Sequence, residues 1–123
     1  MSGSGEIPPV LQSQLAQLQQ LKAQIEAVAR QKMQVEALLK DSESALRELG
    51  KLDDNSMVYK NVGQLMIKVG KEEVKEELSE KKETYDLRVK TLERQEERVQ
   101  KKYQQLQQQL REALGAATQT TGA

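Results

Sequence analysis

The chain has 123 residues, with 19 basic and 19 acidic side chains, three Tyr, and no Phe, Trp, Cys or His. The balanced charge excludes a long-range attraction to nucleic acid or to an anionic membrane, and no run of about 18 apolar residues could span a bilayer. Because aromatic side chains supply much of a compact core, their scarcity predicts burial along narrow seams, as in long helices or a coiled coil.

The sequence lacks the side chains of most active sites. Without His and Cys there is no imidazole base, no thiol nucleophile, and neither a His nor a thiolate ligand for a metal. Neither Gly63 nor Gly70 belongs to a phosphate-binding loop with a Lys-Ser or Lys-Thr. Carboxylate pairs such as Glu72-Glu73 lie in balanced charge runs typical of solvated helix faces. We therefore expect no enzymatic activity, no cofactor and no metal.

The N-terminal part of the chain predicts one long helix. Residues 1–6 are small and polar, which predicts disorder, and they lack the regions of a signal peptide, so a cytoplasmic protein is expected. An Ile-Pro-Pro segment at residues 7–9 suits a helix start, and no Pro or Gly interrupts residues 10–49. With Leu11 at the first a position and Gln14 at the first d position, nine of the twelve a and d heptad positions of this helix are apolar. The helix is expected to end at Gly50 after about 60 Å.

The segment from residue 57 to residue 69 predicts a β-hairpin. Its two apolar, β-branched halves flank Gly63-Gln64, and a two-residue Gly-X loop suits a type II′ turn. That turn fixes the register and sets the residue pairs that share one mostly apolar face. These pairs are Val62 with Leu65, Lys60 with Ile67, and Val58 with Val69.

The predicted hairpin needs more partners than one chain supplies. A two-stranded hairpin is marginal in water, and both of its outer edges have unpaired backbone groups. We expect hairpins of several chains to pair edge to edge and close into a β-barrel platform. The alternative is that the bases of the helices cover the hairpin, which would hide its apolar face but not both edges. The residues assigned to assembly, called the hairpin set, are Val58, Tyr59, Val62, Gly63, Leu65, Ile67 and Val69.

A second long helix is predicted for residues 71–114, which contain no Pro or Gly. Residues 71–112 include eleven acidic and eleven basic side chains, so most of this helix surface must be solvated. Gly115 is expected to end the helix, and residues 115–123 are expected to form a flexible tail. Two helices joined by a short hairpin are expected to pack antiparallel as a coiled coil, which defines a mainly α fold.

The end of the predicted coiled coil that is remote from the hairpin has more apolar side chains than helix pairing needs. Val10 and Leu15 fall outside the heptad seam. One interpretation is a frayed end with ordinary surface leucines, and the other is an apolar patch that binds a partner. Ten Gln residues surround this end. The residues of this terminal set are Ile7, Val10, Leu11, Leu15, Leu18, Tyr103, Leu106, Leu110 and Leu114.

Three local features of the sequence resemble the prefoldin family. They are the Ile-Pro-Pro start before a Gln-rich helix, the hairpin sequence VYKNVGQLMIKV at residues 58–69, and LERQE at residues 92–96. The resemblance covers residues 7–114 and is strongest to the β-type subunit of archaeal prefoldin, whose eukaryotic counterparts are the β-class subunits. The single hairpin favours the β class, because α-class subunits have two.

The resemblance implies a β subunit in a cytosolic hexamer of two α and four β subunits, with the hairpins joined into β-barrels. It also implies an ATP-independent chaperone, or holdase, that binds unfolded polypeptides at the coiled-coil tips, here the terminal set. The family delivers such clients to a group II chaperonin. Neither nucleic acid nor a membrane is expected as a partner. The coiled-coil pattern alone leaves an alternative, a structural adaptor in a hetero-oligomer that binds one folded partner.

Overall fold

The computed structural model describes the backbone of residues 7–122 and the side chains of residues 7–116. The elements follow in the predicted order of helix, hairpin and helix. Residues 1–6, for which the sequence predicts disorder, lie outside the described residues. The elements are α1 (Pro9–Gly50), β1 (Val58–Val62), β2 (Leu65–Val69) and α2 (Lys71–Gly122).

Helix α1 buries a narrow stripe with a seven-residue repeat. Val35, Ser42 and Leu49 are its buried residues, and they occupy three successive d positions of the predicted heptad. A seven-residue repeat keeps side chains on one face of a helix, so these residues mark the seam against which a second helix packs. Ser42 places a polar side chain in that seam.

The two ends of α1 follow from local backbone chemistry. The carbonyl of Pro8 accepts a hydrogen bond from the amide of Gln12 at 3.0 Å. Pro8 and Pro9 lie at the helix start, where a backbone N–H would have no acceptor within the helix. The helix ends at Gly50 as predicted, but this glycine has no positive φ. The amide of Lys51 instead donates to the carbonyl of Glu48 at 3.2 Å, which tightens the last turn.

Strands β1 and β2 form an antiparallel hairpin in the predicted register. Val62 pairs with Leu65, Lys60 with Ile67, and Val58 with Val69. Gly63 has a φ of 61°, whereas Gln64 has no positive φ. A type I′ turn requires a positive φ at both central residues, so the turn is of type II′, as the Gly-Gln sequence predicts.

Helix α2 is longer than the sequence predicts. It runs from Lys71 to Gly122, so the expectation that Gly115 ends the helix is wrong. The expectation that residues 115–123 form a flexible tail stays a prediction. Gly115 has no positive φ and remains helical. A glycine inside a helix costs only about 1 kcal/mol relative to alanine, and the two alanines that follow it favour the helix.

The chain divides into two compact units, and each contains a segment of both helices. The terminal unit comprises residues 7–30 and 92–122 of the described chain, and the hairpin unit comprises Gln31–Thr91. Because the start of α1 groups with the end of α2, the helices are antiparallel within the terminal unit. This arrangement confirms the predicted fold class, a mainly α chain with two long helices joined by one hairpin. No helix among the described residues is long and apolar enough to cross a membrane.

Candidate functional site

The hairpin leaves the apolar side chains near its turn exposed. Val62, Leu65 and Ile67 are 48, 66 and 43% exposed, whereas Val58 and Val69 at its base are half-buried. The rest of the hairpin unit therefore covers the base of the hairpin and leaves the turn end open.

The sheet also has two open edges. In the described part of the chain it consists of β1 and β2 alone, so the outward N–H and C=O groups of each strand have no strand partner. On the second face of the hairpin, Tyr59 and Met66 are exposed as well. An exposed apolar strand with an open edge favours pairing with a further strand. The hairpin set is thus arranged for edge-to-edge contact.

A bidentate ion pair fixes the hairpin on helix α2. Lys60, in the middle of β1, donates to both carboxylate oxygens of Glu77 at 2.7 and 2.8 Å. Lys60 lies opposite Ile67 on the otherwise apolar face of the hairpin, and the carboxylate compensates for an ammonium group in that position. Sequence reasoning missed this pair, although a single lysine in an apolar row was a signal that an acidic partner was needed.

The ion pair lowers the pKa of the Glu77 carboxyl. The hydrogen bond from Lys60 is the main cause, and the charges of Lys60 and Lys81 act in the same direction, while desolvation opposes them. The Nζ atom of Lys81 lies 3.9 Å from Oε1 of Glu77. The lowered pKa keeps the carboxylate charged further into acid than an ordinary Glu, so the link between hairpin and helix is present at neutral pH and persists below it.

A second lysine ties the loop before β1 to the start of α2. Lys71 donates to the backbone carbonyl of Leu52 at 2.7 Å, and its Nζ lies 3.4 Å from Oδ1 of Asp54. The Lys71 side chain is mostly buried and that of Asp54 is almost fully exposed, so the carbonyl is the principal partner. Since Lys71 begins α2, the contact joins the chain that enters the hairpin to the chain that leaves it.

The terminal set lies on both helix segments of the terminal unit, except Ile7, which precedes α1. Ile7, Val10 and Leu114 are 43, 69 and 48% exposed. Leu110 is only 4% exposed, so it belongs to the packed seam and offers no surface to a partner in this chain. The other members are half-buried: Leu11, Leu15, Leu18, Tyr103 and Leu106.

An open groove of about 330 Å³ lies within the terminal unit and is lined by both helix segments. The short side chains of Ala27 and Val28 leave space that a leucine would fill. Sequence reasoning missed this groove, although an Ala-Val step in a leucine-rich helix was a signal. The lining residues are Gln24, Ala27, Val28, Gln95, Arg98, Val99 and Lys102.

Known proteins share both the sequence and the layout of this chain. The family model described as prefoldin subunit matches residues 12–117. The chain belongs to the prefoldin family. The prefoldin subunit beta of Archaeoglobus fulgidus is 59% identical over 93 residues, which cover 76% of this chain and 80% of the relative. The prefoldin subunit beta of Methanosarcina acetivorans is 48% identical over 116 residues, which cover 94% of this chain and 99% of the relative.

A solved prefoldin structure shares the fold. The crystal structure of the prefoldin beta subunit from Thermococcus strain KS-1 matches with a TM-score of 0.83 and 39% identity, covering 89% of this chain and 96% of that one. The prefoldin resemblance drawn from three local sequence features is thereby confirmed, together with the predicted arrangement of two long helices joined by one hairpin.

Proposed function

We propose that this prefoldin chain is part of an ATP-independent holdase that binds unfolded polypeptides and transfers them to a group II chaperonin in the cytoplasm. The observation that carries the proposal is the aliphatic surface of the terminal unit, where Ile7, Val10 and Leu114 are exposed and five further members of the terminal set are half-buried. Burying such side chains contributes about 25 cal/mol per Å² without requiring one partner geometry. That property suits clients that share apolar side chains but no common fold.

The polar side chains near this surface support binding to an unfolded chain. Ten Gln residues lie among the same helical stretches, five in residues 12–20 and five in residues 104–109. An unfolded segment exposes backbone N–H and C=O groups, and a glutamine amide can donate to one and accept from the other. Flexible, uncharged partners of this kind can adapt to many sequences.

The hairpin set supports the oligomeric part of the proposal. Val62, Leu65 and Ile67 are exposed, and both edges of the two-stranded sheet are open. Pairing with strands of neighbouring subunits, closed into a barrel, would leave no edge. We propose that the chain occupies a β position in a hexamer of two α and four β subunits, since its relatives are named prefoldin subunit beta.

The test of client binding replaces exposed side chains and leaves the packed seam intact. The variant Ile7→Gln/Val10→Gln/Leu114→Gln removes aliphatic surface but keeps residues that favour a helix. We expect it to lose most of its ability to suppress the aggregation of a chemically denatured protein, measured by light scattering at a fixed ratio of chaperone to client. Its helix content, measured by circular dichroism, should be unchanged.

A matched control removes three apolar side chains of the hairpin unit. Met33→Gln/Leu38→Gln/Leu87→Gln affects residues that are 69, 43 and 62% exposed, close to those of the first variant. It should protect the client as well as the original chain does. Full protection by the first variant, or an equal loss in both, would contradict the assignment of client binding to the terminal set. Saturable binding of one folded partner without client protection would favour the structural adaptor.

A further inference from the structure

We propose that the open groove of the terminal unit is a subsite that selects unfolded segments in which an apolar side chain is flanked by Asp or Glu. This inference rests on the proposed holdase function and adds a client preference to it. The apolar side chain would contact Val28 and Val99, and the neighbouring carboxylate would pair with Arg98 or Lys102.

Charge in the terminal unit is segregated, although the whole chain is neutral. Residues 7–25 and 98–111 together contain five basic residues and no Asp or Glu, whereas residues 71–97 contain ten acidic and seven basic residues. Residues 71–112 contain equal numbers of acidic and basic residues, so the totals for the second helix do not show this uneven distribution. Sequence stretches with cations and no acids attract acidic segments and repel basic ones, and the acids of the terminal unit lie outside these two stretches, at Glu26, Glu93, Glu96, Glu97 and Glu112. The five basic residues are Lys22, Arg98, Lys101, Lys102 and Arg111.

The two cations that line the groove have no partner in the described part of the chain. Arg98 and Lys102 are exposed and form no ion pair there. Arg94, Arg98 and Lys102 follow one another at intervals of four residues, so these like charges lie on one face of α2 and slightly weaken the helix. The acids next in sequence to lining residues, Glu26, Glu96 and Glu97, do not line the groove. This row of cations is therefore open to an acidic partner from outside the described chain.

The other lining residues favour a peptide over a small anion. The groove, at about 330 Å³, is at the lower end of the range for ligand sites and can hold a side chain. Val28 and Val99 offer apolar contact, and the amides of Gln24 and Gln95 can bond to a peptide backbone. A free anion would use only the cations. An unfolded segment that combines leucine and glutamate would use the apolar contact, the amides and the cations together.

The first test compares unfolded peptides that differ only in flanking charge. Fluorescent peptides with the same leucines and flanking Glu, Gln or Lys are titrated into the full-length chain, in the assembly in which it purifies, and followed by anisotropy. We expect the Glu peptide to bind about fivefold more tightly than the Gln peptide, and the Lys peptide to bind most weakly, because exposed ion pairs contribute modestly. High salt should reduce the difference. A Glu peptide with Ser in place of Leu should not bind measurably.

Charge reversal locates the effect on the chain. Arg98→Glu/Lys102→Glu should reverse the order of the Glu and Lys peptides. The matched control, Lys22→Glu/Lys101→Glu, reverses two charges on exposed side chains of the same unit that do not line the groove, and it should keep the original order. An equal effect of both variants would overturn the groove assignment. The peptide series on the unaltered chain tests the preference even if a variant folds poorly.

Failure of the subsite and failure of the holdase proposal give different results. If no peptide binds, the proposed holdase function is wrong. If all leucine peptides bind with equal affinity, the holdase function holds and the acidic preference is overturned. Displacement of the Glu peptide by a folded acidic protein, as effectively as by unlabelled peptide, would also overturn the assignment to unfolded segments.

Discussion

The hairpin unit and the terminal unit of this prefoldin chain both expose aliphatic side chains, but they hold them in different ways. In the hairpin unit a fixed strand register, the Lys60–Glu77 ion pair and the Lys71–Leu52 contact define where the exposed side chains lie. In the terminal unit the aliphatic side chains stand on helices among glutamines and cations. The first surface has the defined geometry that suits one partner, and the second has the adaptable chemistry that suits many.

The degree of exposure therefore does not identify the role of an apolar surface. Val62 and Leu114 are both 48% exposed. The backbone of Val62 belongs to a strand with an open edge, whereas that of Leu114 belongs to a helix whose hydrogen bonds are made internally. Because open backbone groups favour a paired strand and a helix surface does not, the state of the backbone separates the proposed assembly surface from the proposed client surface.

The largest expected effect comes from placing charge on the hairpin. Val62→Asp/Ile67→Asp should convert the assembly to monomers, because two carboxylates resist the loss of water that pairing of hairpins requires. The same change in the terminal unit, Val10→Asp/Leu114→Asp, should leave the mass unchanged and weaken client binding. Light scattering coupled to size-exclusion chromatography gives the mass of the assembly that each variant forms. Dissociation by both pairs, or by neither, would remove the distinction between the two units.

Features that repeat along the chain could be predicted from the sequence. Val35 and Leu49 follow a seven-residue repeat, and the pairing of Val62 with Leu65 follows from the two-residue Gly-Gln turn. Both rules are local and need no knowledge of how the elements pack. The same rules located the terminal set, but they did not distinguish buried Leu110 from its exposed neighbours.

Features that depend on packing between elements could not be predicted. Lys60 and Glu77 are 17 residues apart, and only the placement of the hairpin on α2 brings them together. The groove beside Ala27 depends on the space that one helix leaves against another. Helix α2 continues through Gly115, where glycine costs about 1 kcal/mol of helix propensity relative to alanine. A difference this small does not allow one glycine to predict the end of a helix.

A smaller effect is expected from the backbone of the turn, which tests the fixed geometry of the hairpin unit. Gly63 has a φ of 61°, and nothing lies within 4 Å of an added Cβ. Gly63→Ala should therefore destabilise the chain by about 1 kcal/mol through backbone strain alone. Gly115→Ala in the terminal unit also places a Cβ in open space, but on a helix, and should stabilise by up to about 1 kcal/mol. Urea denaturation followed by circular dichroism measures both, and equal destabilisation would contradict the type II′ assignment.

The smallest expected effect is on how stability varies with pH in acid. It is expected for a change at Glu77 in the hairpin unit and not for the matched change in the terminal unit. Because Lys60 lowers the pKa of Glu77, the folded chain binds this proton less readily than the unfolded chain does. The stabilisation from the pair is present above the unfolded pKa and is lost as pH falls through the lower folded pKa. Glu77→Gln should therefore reduce stability at neutral pH and have little effect once Glu77 is protonated in the original chain.

The matched change in the terminal unit is Lys102→Gln, which removes a cation that has no ion-pair partner among the described residues. Its effect on stability should not vary across the acid range in which Glu77 titrates, because no carboxylate among the described residues is paired with Lys102. Urea denaturation of both variants and the original chain at a series of pH values gives the comparison. A loss of stability in Glu77→Gln that persisted unchanged in acid would mean that packing of the side chain, and not its charge, holds the hairpin on α2. In that case the hairpin unit and the terminal unit would both depend on apolar contact, and the Lys60–Glu77 ion pair would not distinguish the two units.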